Sequence, residues 1–391
     1  MKSFFASALR RTSRLSRPAK LGTTARSVHK IMTGLMLASL PAPIKSKPTK
    51  KRKAALPKVS QPLGIVIKQL RDLQSLIPVT AVRPKRRVVS PSIPKGAQFV
   101  SRTHRSASGS RGYKLYLPAS QPKRPRGLIL MLHGCTQTPD DFATGTHMNA
   151  LAEKHSLAVA YPAQTASHNT ASCWNWFKPN DQHRGAGEPA LLASLTRKLM
   201  KEFGLGRDAV FVAGLSAGGA MAATLADVYP DIFSAAGLHS GLARGAARDV
   251  LSAMSAMRNG TASGLLAPSA LLPDAALQSD PVRRIVFQGD ADSTVHPSNA
   301  AVIVTAALGG TAEPAKVVRR EVRGRSYSRS EFTAADGAVM LELWMIEGAG
   351  HAWSGGRVAG SYTDAKGPDA SAQMIRFFLA KQSAQVRSVT L

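Results

Sequence analysis

The stretch Ala209-Val-Phe-Val-Ala-Gly214-Leu-Ser216-Ala-Gly218-Gly-Ala-Met221 passes from a β-forming apolar run, through Gly-x-Ser-x-Gly, into the helix-forming run Ala220–Tyr229. A sharp strand-to-helix turn of this kind lifts a serine Oγ above the sheet, and only small residues beside it avoid a clash. Ser216 has Gly214, Ala217 and Gly218 around it, so the stretch is expected to be a nucleophile elbow. An ordinary turn with a helix-capping serine would account for Ser216 but for nothing else in the chain.

Outward from this turn, strand-like and helix-like segments alternate. Leu128–Leu132 is a continuous apolar run of strand length, as in a strand buried on both faces. Helical patterns at His147–His155, Pro189–Phe203, Pro297–Leu308 and Asp369–Lys381 are interleaved with strand-like runs at Leu157–Tyr161, Ala235–Leu238, Arg284–Gln288 and Val339–Ile346. Asp369 is placed to cap the last helix. Tyr113–Leu117 is expected as an edge strand of a domain beginning near Ser101. The alternation predicts an α/β class, with a mostly parallel, doubly wound sheet and active-site groups on loops at the carboxyl ends of its strands. Residues 242–280 break the rhythm and are expected to be a cap insertion.

The 391 residues carry a net charge of +29, very unevenly. Residues 1–100 hold 22 Lys and Arg against one acid, Asp72, which leaves only +8 for residues 101–391. The expected organisation is therefore a basic, Pro/Lys-rich, largely disordered arm over 1–100 and a catalytic domain over 101–391. Within the arm, Leu63, Val66, Ile67, Leu70, Leu73 and Ile77 recur at helical spacing and predict an amphipathic helix over 62–77. Such an arm suits a granule, membrane or polyanion surface rather than a specific nucleic-acid site. No apolar run reaches 18 residues, which predicts a soluble or peripheral protein. Ile31–Leu40 resembles the apolar region of a secretory signal after a long basic stretch, but no A-x-A cleavage site follows.

A serine hydroxyl needs a base to take its proton and a carboxylate to orient that base, and in this fold both follow the serine. Gln288-Gly-Asp290-Ala-Asp292-Ser-Thr-Val-His296 follows one predicted strand, and Gly348-Ala-Gly-His351-Ala-Trp353 follows another. His351, in a glycine-flanked turn, is the expected base, ahead of His296 and His133. Asp292 is the preferred acid, and Asp290 is expected to stabilise its turn. Acyl transfer also needs two donors for the developing oxyanion. These are expected from the backbone amides of Ala217 and of Cys135, the latter in His133-Gly-Cys135-Thr-Gln after the Leu128–Leu132 strand. Cys135 and Cys173 permit one disulfide and no four-ligand zinc site, and a bridge between them would pin the oxyanion loop beside Trp174-Asn-Trp176-Phe177. Trp174, Trp176 and Trp353 are candidate substrate contacts, with the core as the alternative.

His133-Gly-Cys135-Thr-Gln, Cys173-Trp-Asn-Trp-Phe, Gly214-Leu-Ser216-Ala-Gly-Gly, Gly289-Asp-Ala-Asp292-Ser-Thr-Val and Gly350-His351-Ala-Trp-Ser-Gly occur in the order seen in one family. Together they resemble the poly(3-hydroxybutyrate) depolymerase family of esterases, α/β-hydrolases related to feruloyl and acetylxylan esterases. The resemblance spans about Tyr113 to Leu379. It implies Ser216 as nucleophile, Asp292 and His351 as its partners, the amides of Cys135 and Ala217 as the oxyanion hole, and no metal or cofactor. The implied substrate is polyhydroxyalkanoate or its oligomers, with feruloyl or acetyl esters of plant polysaccharide as the alternative. The implied setting is extracellular, with polymer granules in the cytoplasm as the alternative. A surface-binding protein with an idle catalytic domain is the reading from another functional class.

Overall fold

The computed structural model describes residues 90–260 and 280–380. The expected helix over 62–77, most of the basic arm and residues 261–279 of the expected cap lie outside the described residues.

Ten strands form one sheet whose central members are apolar and buried on both faces, while the outer members are partly exposed. The strands are β1 (Gln98–Ser106), β2 (Gly109–Leu117), β3 (Gly127–Leu132), β4 (Leu157–Pro162), β5 (Val210–Leu215), β6 (Ala235–His239), β7 (Arg283–Gly289), β8 (Lys316–Val322), β9 (Arg325–Thr333) and β10 (Val339–Ile346). Their order is β1-β2-β4-β3-β5-β6-β7-β10-β9-β8. The central strands β4, β3, β5, β6, β7 and β10 run parallel. Antiparallel pairs extend both edges. Chain order reverses between β3 and β5, and that switch point is where a doubly wound sheet opens a crevice above its carboxyl ends.

Alternation along each strand sorts the core into two layers. Leu128, Leu130, Leu132, Val210 and Val212 pack on one face with helices α3 (Gly187–Phe203), α4 (Ala217–Val228) and α6 (Ser298–Leu308). Ile129, Met131, Phe211 and Ala213 pack on the other with α1 (Pro139–Thr146), α2 (Met148–His155) and α7 (Ala370–Leu379). Helix ends follow local chemistry. The Asp369 carboxylate accepts the Ala372 amide at 2.9 Å and starts α7, while Gly204 at φ 67° ends α3. Among the described residues no helix is long and apolar enough to cross a membrane.

One expectation changes. Tyr113–Leu117 is not an edge strand, because β1 pairs outside it from Ser106↔Gly109 to Gln98↔Leu117. The first strand therefore begins at Gln98, three residues before the expected start of the domain. The described part of the 242–280 segment packs on the sheet's helical layer. Leu242, Ala243, Ala246 and Ala247 join the core, and helix α5 (Val250–Asn259), started by an Asp249–Ser252 capping box, buries Ala253 and Ala256 there. A further hairpin, β8–β9, turns through Arg323 and Gly324, both at positive φ, as a two-residue turn requires.

Candidate active site

The elbow is built by two glycines. A Cβ on Gly214 would lie 2.3 Å from the Gly218 backbone, and one on Gly218 would lie 2.0 Å from the Leu132 carbonyl oxygen. Only glycine lets β5, the turn and the end of β3 close on one another. Ser216, between them, is held at φ 57° and ψ −121°, a conformation that costs on the order of 1–3 kcal/mol and recurs at functional sites. Its amide donates to the His239 carbonyl at 2.9 Å and its carbonyl accepts the Ala220 amide. Ala217 opens α4, so its N–H is among the first-turn amides that find no partner within a helix.

The loop after β3 lies against this turn, with an ideal Cβ on Gly134 only 3.6 Å from the Ser216 Cβ. Gln137 Oε1 accepts the Gly134 amide at 2.9 Å, and the Thr136 amide donates to Ala171 at 2.9 Å. Cys135, half-buried, is joined to Cys173 by a disulfide, as expected. Behind the bridge is a buried polar cluster. Glu188 accepts the Asn175 amide at 2.8 Å and the Gln164 side chain, Arg111 bonds Gln164 and Glu188, and Gln164 donates to the Cys173 carbonyl at 2.9 Å. His133 is buried: Nδ1 donates to the Gly134 carbonyl at 2.8 Å and Nε2 accepts the Gln164 amide at 3.0 Å. Burial pushes its pKa down to about 4, so it is a neutral scaffold residue at neutral pH.

The loops after β7 and β10 bring Asp292 and His351, the expected acid and base, together. His351 Nδ1 lies 2.8 Å from Asp292 Oδ2, with the carboxylate fully buried and the ring nearly so. Asp292 Oδ1 accepts the amides of Thr294 and Val295 at 2.9 and 2.8 Å, and Gln288 Nε2 donates to Oδ2 at 3.2 Å. Burial alone would raise the Asp292 pKa. The bond to His351, its charge and the two amides outweigh burial and hold the pKa below the ordinary value. Asp290 instead accepts the Gly348 amide at 2.7 Å, a turn contact. His296 Nδ1 bonds Ser298 at 2.8 Å. Among the candidate acids and bases in the described residues, Asp292 and His351 are the two that hydrogen-bond to one another.

His239 escapes a sequence reading and joins the parts. It ends β6 beside the elbow, its carbonyl takes the Ser216 amide, and its Nε2 accepts the Ser354 amide at 3.0 Å. The ring is stacked between Phe287 and Trp353, at 5.7 and 5.2 Å between centroids. Burial, with a further push from the His351 charge, lowers its pKa to about 3. The ring is therefore neutral and available as an acceptor, fixing the His351 loop to the Ser216 turn. A histidine closing an apolar strand next to the elbow was the available signal.

All three candidate tryptophans are buried. Trp174 is fully buried with Nε1 donating to the His133 carbonyl at 3.0 Å, and Trp353 is 1% exposed with Nε1 donating to Ser371 at 3.0 Å. Trp176 is 4% exposed, edge-on to Phe177. Trp174 and Trp176 lie in the core cluster on one side of the sheet and Trp353 in the cluster on the other.

The model of the family described as esterase PHB depolymerase matches residues 111–320, which hold Ser216, Asp292 and Cys135 and stop short of His351. Poly(3-hydroxyalkanoate) depolymerase C of Paucimonas lemoignei is 31% identical over 245 residues, 60% of this chain and 56% of that protein. A probable acetylxylan esterase A of Aspergillus clavatus is 29% identical over 196 residues, 48% of this chain and 62% of that protein. The chain thus spans little more than half the length of these curated relatives. Among solved structures, the acetyl xylan esterase from Aspergillus awamori superposes with a TM-score of 0.56 at 20% identity, covering 72% of this chain and 98% of that one, and so shares its fold. With more than half of its residues matched by the family model, this α/β-hydrolase chain belongs to the esterase PHB depolymerase family.

Proposed function

We propose that the protein is a serine ester hydrolase acting on polyhydroxyalkanoate or its oligomers. The observation that carries this reading is the buried Asp292–His351 pair, fastened through His239 beside a serine held in the strained elbow conformation. With Nδ1 committed to Asp292, Nε2 of His351 is the atom that takes the Ser216 proton as Oγ attacks the ester carbonyl. The imidazolium so formed is stabilised by the Asp292 carboxylate. The amides of Cys135 and Ala217 receive the developing oxyanion. Collapse breaks the ester C–O bond, His351 returns the proton to the departing alcohol, and an acyl-Ser216 remains. Water activated by the same ring then releases the acid and restores the serine.

The polyester assignment is supported by family membership and the similarity to a polyhydroxyalkanoate depolymerase. Similarity to acetylxylan esterases supports a second reading with the same chemistry and a polysaccharide acetyl or feruloyl ester as substrate. Hydrolysis of 3-hydroxybutyrate oligomers, acetylated xylan and methyl ferulate, each compared with a p-nitrophenyl ester, separates the two. The first reading expects the oligomers to have the highest kcat/KM, and a preference for either polysaccharide ester contradicts it. The arm over residues 1–100, at +21, is read as a localising element for an anionic granule, membrane or polymer surface. Salt screens such attraction within about 10 Å at 0.1 M. Removing residues 1–89 is expected to leave turnover of a soluble ester nearly unchanged and to weaken binding to anionic particles at low salt. Loss of soluble-ester activity in a folded truncated protein would refute the localising role.

A further inference from the structure

Tyr362 lies in the loop that follows His351, at φ 50°, the left-handed region that an aromatic side chain rarely occupies. Its neighbours leave the backbone no freedom there. The Tyr362 carbonyl accepts the Trp353 amide at 2.7 Å, and Ser361 is bound by Asp141 through its amide at 2.9 Å and by Gln137 through its carbonyl at 3.1 Å. The ring gains little from this strained position, since Tyr362 is 46% exposed and contributes nothing to the core clusters. Its hydroxyl instead reaches Thr136 Oγ1 at 3.1 Å. Thr136 is exposed, also at positive φ (63°), and directly follows Cys135. Gln137, whose side chain also takes the Gly134 amide, clamps the same two loops together. The half-exposed ring therefore spans the rim between the loop that supplies the Cys135 amide and the loop that supplies His351. Backbone strain maintained without a packing return points to function.

We infer that Tyr362 is a substrate-contacting, specificity-determining residue, its ring forming a wall for the apolar part of the ester beyond the scissile bond. The inference rests on the ester-hydrolase reading above. An aromatic wall of this kind discriminates by substrate length, because a two-carbon acyl group ends before reaching it.

The test measures kcat and KM of the full chain and of Tyr362→Gly and Tyr362→Phe on p-nitrophenyl acetate and on a 3-hydroxybutyrate trimer, with methyl ferulate replacing the trimer if the wild type does not cleave it. Glycine accepts φ 50° without cost, so Tyr362→Gly is expected to unfold at the same temperature as wild type or higher. Its kcat/KM on the larger ester is expected to fall about tenfold, through KM, while the acetate ester stays within about twofold. Tyr362→Phe keeps the ring and is expected to keep the larger-ester KM within about twofold. Should the glycine variant not fold, Tyr362→Asn, which tolerates the left-handed region, carries the same expectation. An unchanged larger-ester KM in the ring-free variant overturns the inference alone, as does an equal kcat loss on both esters, which would make Tyr362 a loop-positioning residue. Absence of wild-type turnover on a larger ester also overturns the inference, and absence on every ester overturns the hydrolase reading with it.

Discussion

Replacing both cysteines by alanine removes the Cys135–Cys173 bridge while leaving the residue-135 amide in the backbone. The bridged residues are 38 apart in sequence. In the chain-entropy relation a loop of that length restricts the unfolded chain by about 13 cal/mol/K, or about 3.9 kcal/mol at 25 °C. The folded loop has other fastenings at the same place: the Thr136 amide on Ala171 at 2.9 Å and the Trp174 indole on the His133 carbonyl at 3.0 Å. The loss is therefore expected in stability, with the loop after β3 kept in position and turnover at 25 °C within about an order of magnitude of wild type. Urea unfolding of protein made under oxidising conditions checks this. With an m-value of about 3 kcal/mol/M, the variant midpoint falls by about 1.3 M. Midpoints agreeing within about 0.2 M at the same m-value would refute the entropic role of the bridge. An activity loss far larger than the stability loss would mean that the bridge itself positions the amide.

The two aspartates should separate cleanly. Asp292→Asn is expected to lower kcat about 10³- to 10⁴-fold, because an amide no longer favours the imidazolium or fixes its tautomer, whereas Asp290→Asn keeps an oxygen that accepts the Gly348 amide, loses only the charge, and should leave kcat within about threefold. Reversed effects on kcat would move the acid role to Asp290. Stability should also fall with acidity. His133 and His239, at about 4 and about 3 when folded, bind their protons near pH 6.5 when unfolded, so the stability of the neutral buried rings is complete above pH 6.5 and is lost as pH falls toward those values. Each contributes a slope of about 1.4 kcal/mol per pH unit in that window. The depressed Asp292 adds a loss only at lower pH, as pH falls below its unfolded value and through its folded one. A flat urea midpoint between pH 7 and pH 5 contradicts the assignment of both histidines as buried and neutral.

The parts of this molecule that sequence makes plain are those where one local pattern serves one purpose. Leu128–Leu132 and Val210–Leu215 are apolar throughout because both sheet faces are covered, and Gly214, Ser216 and Gly218 stand together because backbone closes on backbone there. Edge elements are less legible. β8 is exposed along nearly its whole length, so neither face imposes an alternation on Lys316–Val322, and its hairpin turn is marked only by Arg323-Gly324. Long-range polar partners leave almost no local trace. His239, Gln288 and Glu188 are single residues whose roles exist only once β6, β7 and α3 are side by side, and Tyr362 is distinguished by a backbone angle that composition does not encode. Trp174, Trp176 and Trp353 are ambiguous for another reason: an aromatic residue beside a catalytic motif serves as readily for its foundation as for its surface, and all three are buried.

The central claim is that Ser216 is the nucleophile of an ester hydrolase, and the most direct measurement is turnover of p-nitrophenyl butyrate by Ser216→Ala. The substitution removes one oxygen from a turn shaped by Gly214 and Gly218, so the fold and its unfolding temperature should be unchanged. Turnover is expected to drop by about a thousandfold or more relative to wild type. A folded variant that hydrolyses the ester at a rate near wild type would contradict the account.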